Sequence, residues 1–223
     1  MCSGRYIGRK RGERMAPQNV REILIERTIS VIANEGLDKT TTKAITLDTG
    51  INESYIYRNF VNKEDLLSKV FDTLDREFVD KVMQHVLIMR VPRLGYEQRC
   101  RILFGAVWRF ILGNREKCLT FIRYYYSPYF MKFSYARHKK RYASLVRELS
   151  NVFAEDANVW MILGHILNVM LDFAAKVFMG AVENNDNTTE HVFRMVYCSI
   201  QPYLRKIDKA ENKEDFSVKC QAN

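Results

Sequence analysis

Proline and glycine are scarce in this chain, with 4 and 10 copies among 223 residues. Sandwiches and barrels need many turns, so the scarcity argues against them and for long helices. Paired cysteines are missing too. Cys2, Cys100, Cys118, Cys198 and Cys220 are odd in number and form no C-x-x-C, which fits a reduced cytosolic protein rather than a disulfide scaffold or zinc site. His85, His138, His165 and His191 are scattered, so no histidine metal site and no cofactor is expected. There is no Gly-rich phosphate loop, no H-E-x-x-H and no G-x-S-x-G, and nothing supports an enzyme. A clean membrane span is lacking, because the apolar stretch 159–182 carries His165, Asn168, Asp172 and Lys176. The basic N-terminus has no apolar run behind it, so it does not read as a secretory signal.

What is present is a 47% hydrophobic chain, enough for a packed core, with a net charge of +9. The charge permits a polyanionic partner without proving one, and it is unevenly spread. Residues 1–14 hold five Lys/Arg against one Glu; residues 90–150 hold 14 against three; residues 151–190 hold one Lys against six acids. A uniform nucleic-acid coat would not look like this.

Apolar periodicity predicts an all-α chain. The first helix spans about 20–35, capped by Asn19 with Glu22 completing a capping box, and stops at Gly36. Thr41 caps a short helix to about Thr49. Gly50 breaks it, and Asn52 caps a third helix, 53–60, that buries Ile56 and Phe60 with Ile51. Asn62 caps a long helix whose apolar positions run from Leu66 to Val86. Further helical patterns cover roughly 96–112, 115–126, 132–153, 156–183 and 189–207, punctuated by Pro92, Gly95, Pro128, the 184–187 run and Pro202.

Residues 40–60 read as helix, tight turn, helix, the usual way to set a helix into the major groove. The stretch 40–67, TTTKAITLDTGINESYIYRNFVNKEDLL, resembles the DNA-binding motif of the tetracycline-repressor (TetR) family. The matched positions are Thr41, Ile45, Gly50, Ile51, Asn52, Ile56, Tyr57, Phe60, Lys63, Glu64 and Leu66, and the likeness covers about 19–75. Thr46 and Thr49 stand where that family usually has alanine, and Ser54 where it often has glycine; Thr49 is expected to loosen the contact between the two helices.

The expected DNA-contacting set is Thr41, Thr42, Lys43, Asn52, Glu53, Ser54, Tyr55, Tyr57, Arg58 and Lys63. Thr41 either only caps its helix or also meets a phosphate. Tyr57 is either a core tyrosine or, as the resemblance implies, a phosphate donor. Lys63 opposes the dipole of the helix it starts, which a phosphate partner would explain. Glu53 either accepts from a cytosine amino group or favours the helix start. The basic segment 5–14 has three readings: a minor-groove arm, a solvated tail, or residues ahead of a true start at Met15.

The resemblance implies an N-terminal three-helix helix-turn-helix domain and a larger helical domain for dimerisation and ligand binding. The expected division is a basic arm at 1–18, a helix-turn-helix domain at 19–62, a connecting helix at 63–88, a regulatory and dimerisation domain at 89–207 and a tail at 208–223. The expected role is a cytoplasmic homodimeric repressor that leaves double-stranded operator DNA when a hydrophobic or amphipathic inducer binds. The alternative is a DNA-binding protein of the same fold without an inducer, acting architecturally or through a protein partner.

The helix near 159–182 is apolar nearly all round, so a partner chain is a natural cover; Trp160, Leu167, Phe193, Tyr197 and Ile200 are the expected dimer contacts. His165, Asn168, Asp172 and Lys176 form one polar stripe with three readings: a solvent edge, an inter-subunit strip, or a strip in a ligand cavity. The aromatic-rich segment 104–135 reads either as core or, in part, as the lining of a ligand cavity or its mouth, where Phe104, Trp108, Phe121 and Tyr125 are the expected contacts, with Asn168 and Asp172 as polar partners. The run 137-RHKKR-141 is either a solvated face or a favourable site for an anionic ligand.

Overall fold

The computed structural model describes residues 17–205. Residues 1–16, the tail at 208–223, Cys2 and Cys220 lie outside that range. Nine α-helices are described: α1 Pro17–Glu35, α2 Thr42–Thr46, α3 Ser54–Asn59, α4 Lys63–His85, α5 Tyr96–Leu112, α6 Arg115–Tyr125, α7 Tyr135–Leu149, α8 Val159–Phe178 and α9 Asp186–Ile200.

Helix α1 begins three residues earlier than the pattern suggested. It is described from Pro17 onward, so Asn19 lies within the helix and is not its cap. Gly36 ends it with φ +96°, a left-handed conformation that glycine adopts without strain. Helix α2 is shorter than expected, closing at Thr46 because Asp48 (φ 58°) and Gly50 (φ 70°) turn the chain. Thr49 fastens that turn rather than loosening it: its hydroxyl donates to the Thr46 carbonyl at 2.7 Å and accepts from the Ile51 amide at 3.1 Å. Asn62 caps α4 through the Asp65 amide at 2.8 Å.

Two later ends also differ. The helical path into α7 starts at Pro128 and passes through a widened π turn at Phe130–Ser134. There Phe130 packs on Phe71 and Tyr125, and Ser134 bonds the Tyr124 hydroxyl at 3.0 Å. Helix α9 stops at Ile200 because Pro202 cannot extend the ladder. The ends after α7 and α9 then meet in one antiparallel pairing of Phe153 with Leu204.

The core is continuous from α1 to α9, with a second cluster of Val86, Met89, Leu149, Phe153, Ile162 and Ile200 at the far end. Helix α4 runs along α1, α5, α6 and α7; α8 is surrounded by α5, α6, α7 and α9. Among the described residues α8 alone is long and apolar enough to cross a membrane, yet it runs through this bundle. Val159, Ile162, Leu167, Met170, Leu171 and Ala174 are buried by those neighbours, while Met161 is exposed and Trp160, Leu163, Ile166, Val169 and Phe173 stay partly exposed.

A second seam fastens the N-terminal helices to the body. The buried Thr120 hydroxyl on α6 donates to the Ile29 carbonyl on α1 at 2.8 Å, Arg123 donates to the Ile32 carbonyl, and Asn34 donates to Glu116 at 2.9 Å.

Candidate nucleic-acid interface and ligand cavity

Helices α2 and α3 are held by a small apolar wedge. Ile45, Ile51, Ile56 and Phe60 are all buried. Arg21 of α1 lies over the Phe60 ring at 5.0 Å. With those residues inward, the polar ones are forced outward: Thr41, Lys43, Asn52, Glu53, Ser54, Tyr55 and Arg58 are exposed, while Thr42 and Lys63 are half-buried. Tyr57 is 60% exposed, so it is not a core tyrosine. Thr41 accepts from the Ala44 amide at 3.1 Å, and Asn52 accepts from the Ser54 amide at 3.0 Å. Thr42 donates to the Glu53 carboxylate, tying the two helices together on the outer face. Arg58 stacks over the Tyr55 ring at 4.9 Å. Hydrogen-bonding side chains and two tyrosine rings are therefore exposed on this module. Thr41→Ala is expected to destabilise this module by about 1 kcal/mol through loss of the cap. Faster hydrogen exchange at the Ala44 amide would report it.

The larger part holds a cavity of about 110 Å³. Phe78 and Val82 of α4, Leu103 and Phe104 of α5, Tyr142 and Leu145 of α7, Ile166 and Met170 of α8 and Phe193 of α9 contribute to its wall. Of the expected ligand contacts, Phe104 lies in that wall and Phe121 borders a smaller void of about 30 Å³. Trp108 does not reach the cavity; it is buried, with its indole N–H donated to Thr189 at 3.2 Å. Tyr125 packs against Phe121, Phe130 and His138 instead. Asn168 and Asp172 lie on the outside, where Asn168 accepts from the Tyr126 hydroxyl at 2.9 Å and Asp172 pairs with Lys176 at 2.8 Å. The polar stripe of α8 is therefore an outer edge, not part of the cavity.

The expected dimer contacts need the same correction. Leu167, Phe193, Tyr197 and Ile200 are buried within the single chain, and Trp160 packs on His138 and Tyr142. The apolar surface of the first four is covered by their own neighbours, while Trp160 stays half-buried. The outward face of α8 and α9 is made by Met161, His165, Asn168, Asp172, Met195 and Cys198, with His165 bonded to Ser199 at 2.8 Å across the two helices.

The run 137–141 is in part the solvated face expected of it, at Arg137, Lys139 and Lys140, and in part a set of partners for two acids of α4. Arg137 pairs with Asp72 at 2.8 Å, while His138 at 2.9 Å and Arg141 both hold the fully buried Asp75. Arg137 also donates to the Ser68 hydroxyl. Lys139 and Lys140 face solvent, and the Arg137 side chain stays 45% exposed beside its partner. With its arginines engaged, the run offers no motive for an anionic ligand. The signal for this latch was present in the sequence. Asp72 and Asp75 sit three residues apart among the buried apolar positions of α4, where acids need partners.

Tyr142 stands between latch and cavity. Its ring contributes to the wall and lies 4.2 Å from the His138 ring, centroid to centroid. Its hydroxyl is buried close to the Asp75 carboxylate and makes no hydrogen bond of ordinary geometry among the described residues. Burial pushes the phenol well above its ordinary pKa, and the nearby Asp75 charge adds to this. Tyr142→Phe is therefore expected to leave the melting temperature unchanged or raise it slightly, since it removes an unsatisfied polar atom. A drop of several degrees in a thermal melt would show that the hydroxyl is bonded in solution. Burial also holds the Cys100 and Cys118 thiols up at about 12, too high for a thiolate nucleophile near neutral pH.

Comparison with known proteins supports the class. Residues 24–70 match the family described as "Bacterial regulatory proteins, tetR family". No curated protein sequence matches the chain. Among solved structures, a TetR family transcription regulator from Marinobacter aquaeolei VT8 is similar at TM-score 0.67 and 17% identity, covering 85% of this chain and 97% of that one. The fatty acid degradation regulator FadR from Bacillus halodurans is similar at TM-score 0.60 and 18% identity, covering 78% and 96%. A TetR-family regulator from Haemophilus influenzae RD is similar at TM-score 0.59 and 14% identity, covering 86% and 100%. The fold is that of TetR-family transcription regulators, and the N-terminal helices carry that family's sequence pattern.

Proposed function

We propose that this protein is a sequence-specific DNA-binding transcription regulator that acts as a cytoplasmic homodimer and represses until a small apolar ligand enters the larger domain. The observation that carries the reading is the outward face of α2 and α3. It exposes Thr41, Lys43, Ser54, Tyr55, Tyr57 and Arg58 on a module whose Ile45, Ile51, Ile56 and Phe60 are turned inward. Lys63, Thr41 and Tyr57 meet phosphates; Ser54 and Tyr55 meet base edges. The outer faces of α8 and α9, with Met161 and Met195 among polar groups, form the dimer contact.

Selection from a random duplex pool tests the DNA arm. The expected product is a two-fold symmetric site with half-sites about 34–36 Å apart, or a multiple of that. Enrichment of no sequence would defeat the reading. Light scattering at micromolar concentration tests the dimer, and a monomer there would remove it. A second reading is favoured by one observation: the cavity, at about 110 Å³, is small, against roughly 300–1,000 Å³ for common ligand pockets. A regulator without an inducer, working through a protein partner or architecturally, would need no more.

A further inference from the structure

Among the described residues Arg99 on α5 is the only lysine or arginine that is buried, at 8% exposed. It makes no ion pair there, and neither does Arg93 in the turn before α5. The Arg99 Nη1 donates to the Met89 carbonyl at 2.8 Å, and the guanidinium lies 4.5 Å from the centroid of the Tyr96 ring. A carbonyl and an aromatic face carry no full counter-charge. The side edge of the guanidinium is idle: Nε is buried without an acceptor, and Nη2 makes no hydrogen bond among the described residues. The acids near it in the fold are already taken. Arg101 holds Glu97 at 2.8 Å, and Arg90 holds Glu148.

The placement adds a second cost. Helix α5 follows Gly95 with no side-chain cap, and its first ladder bond runs from the Arg99 amide to the Gly95 carbonyl at 3.1 Å. The amides of Tyr96, Glu97 and Gln98 thus have no acceptor within the helix, and they make its positive end. The Arg99 side chain leans back over Tyr96, the first residue, so a buried cation sits at that end. Burying an unpaired charge is unfavourable, and so is a cation at a helix N-terminus. One group reverses both: an anion, which pairs with the guanidinium and suits the helix dipole.

We propose that the junction of the turn Val86–Arg90 with the start of α5 is an oxyanion site, in which the Nε–Nη2 edge of Arg99 holds two oxygens of a small carboxylate or phosphate at the α5 N-terminus. A guanidinium edge matches the oxygen pair of either group with two parallel bonds. Arg99 does not line the apolar cavity, so this is a separate, polar site. It goes beyond the function proposed above and does not depend on it.

The test uses the full chain labelled with nitrogen-15. Sodium acetate and sodium phosphate are titrated against sodium chloride at equal ionic strength and pH. The Arg99 Nε–H resonance, identified by its loss in Arg99→Lys, is expected to shift saturably with at least one oxyanion and not with chloride. Whichever oxyanion saturates it at lower concentration identifies the group the site takes. At saturation that oxyanion is expected to raise the melting temperature by at least about 3 °C over chloride. In Arg99→Lys, which keeps the charge and loses the fork, that excess is expected to fall by at least about half. In Arg99→Gln it is expected to vanish. General salt effects act on the whole surface, persist in both variants and are subtracted by them. If Arg99→Gln fails to fold, the wild-type resonance and Arg99→Lys decide. An arginine that serves only the Met89 carbonyl would be destabilised by substitution, yet acetate, phosphate and chloride would act alike on the wild type. That result, no saturable shift with either oxyanion, or an undiminished excess in Arg99→Lys would each overturn the proposal.

Discussion

Replacing Asp75 by alanine is expected to destabilise the folded chain by about 3–5 kcal/mol, the range for breaking a buried ion pair on one side. Asp75 is fully buried, His138 is 3% exposed and Arg141 18%. Removing the carboxylate leaves Arg141 and the His138 Nδ1 without their acceptor in a site that water does not reach. For a folded region of this size, roughly 2–4 °C is lost per kcal/mol, so the melt should fall by about 6–20 °C. The control is the exposed pair of Arg90, whose side chain is 61% exposed, with Glu148. There Glu148→Ala should change stability by less than about 1 kcal/mol. A double-mutant cycle of Asp75→Ala with Arg141→Ala would show strong coupling, since the second change removes the charge that the first strands. Additive losses would mean that the two groups do not interact in solution.

The latch also shows where the sequence could be read and where it could not. Elements with strong periodicity and a cap were legible. Helix α4 starts after Asn62, α5 spans 96–112, and Ile45, Ile51, Ile56 and Phe60 all turn inward. Helix ends were less legible, because they are decided by competing local bonds. The Thr49 hydroxyl holds a turn where the pattern extended a helix, and Pro128 with the π turn starts the path into α7 early. Groups whose partners lie far along the chain were illegible from composition. The 137–141 run looked like free positive charge because Asp72 and Asp75 are more than 60 residues away. In the same way sequence alone does not show that one side of α8 packs on α5, α6, α7 and α9. Tyr142 was missed outright. The four-residue step from His138, continuing to Leu145 and Leu149, marks it as inward-facing, and a tyrosine there must place its hydroxyl somewhere.

Lys63 should separate folding from binding, because one substitution is expected to move the two in opposite directions. It is the first residue of α4, directly after the Asn62 cap. A cation there faces the positive end of the helix dipole, an unfavourable placement worth about 0.3–1 kcal/mol. Glu64 and Asp65 follow in the same turn and suit that dipole, so Lys63 is the anomaly. It makes no ion pair among the described residues. A DNA phosphate is the partner that would reverse the sign of the interaction. Lys63→Ala should therefore leave the free protein as stable or slightly more stable, while it weakens DNA binding at every sequence alike. Neutralising a phosphate releases condensed counterions, so the slope of log affinity against log salt should shrink by about 0.9 per lysine removed, or roughly 1.8 for a dimer on two half-sites. The loss should therefore be largest at low salt and shrink as salt rises. A base-reading residue behaves differently: Ser54→Ala should relax the preference at one position of the selected site while leaving the salt slope as it was. If Lys63→Ala lowers the melting temperature and leaves both affinity and slope intact, the lysine serves the fold, and the phosphate contact must be given up.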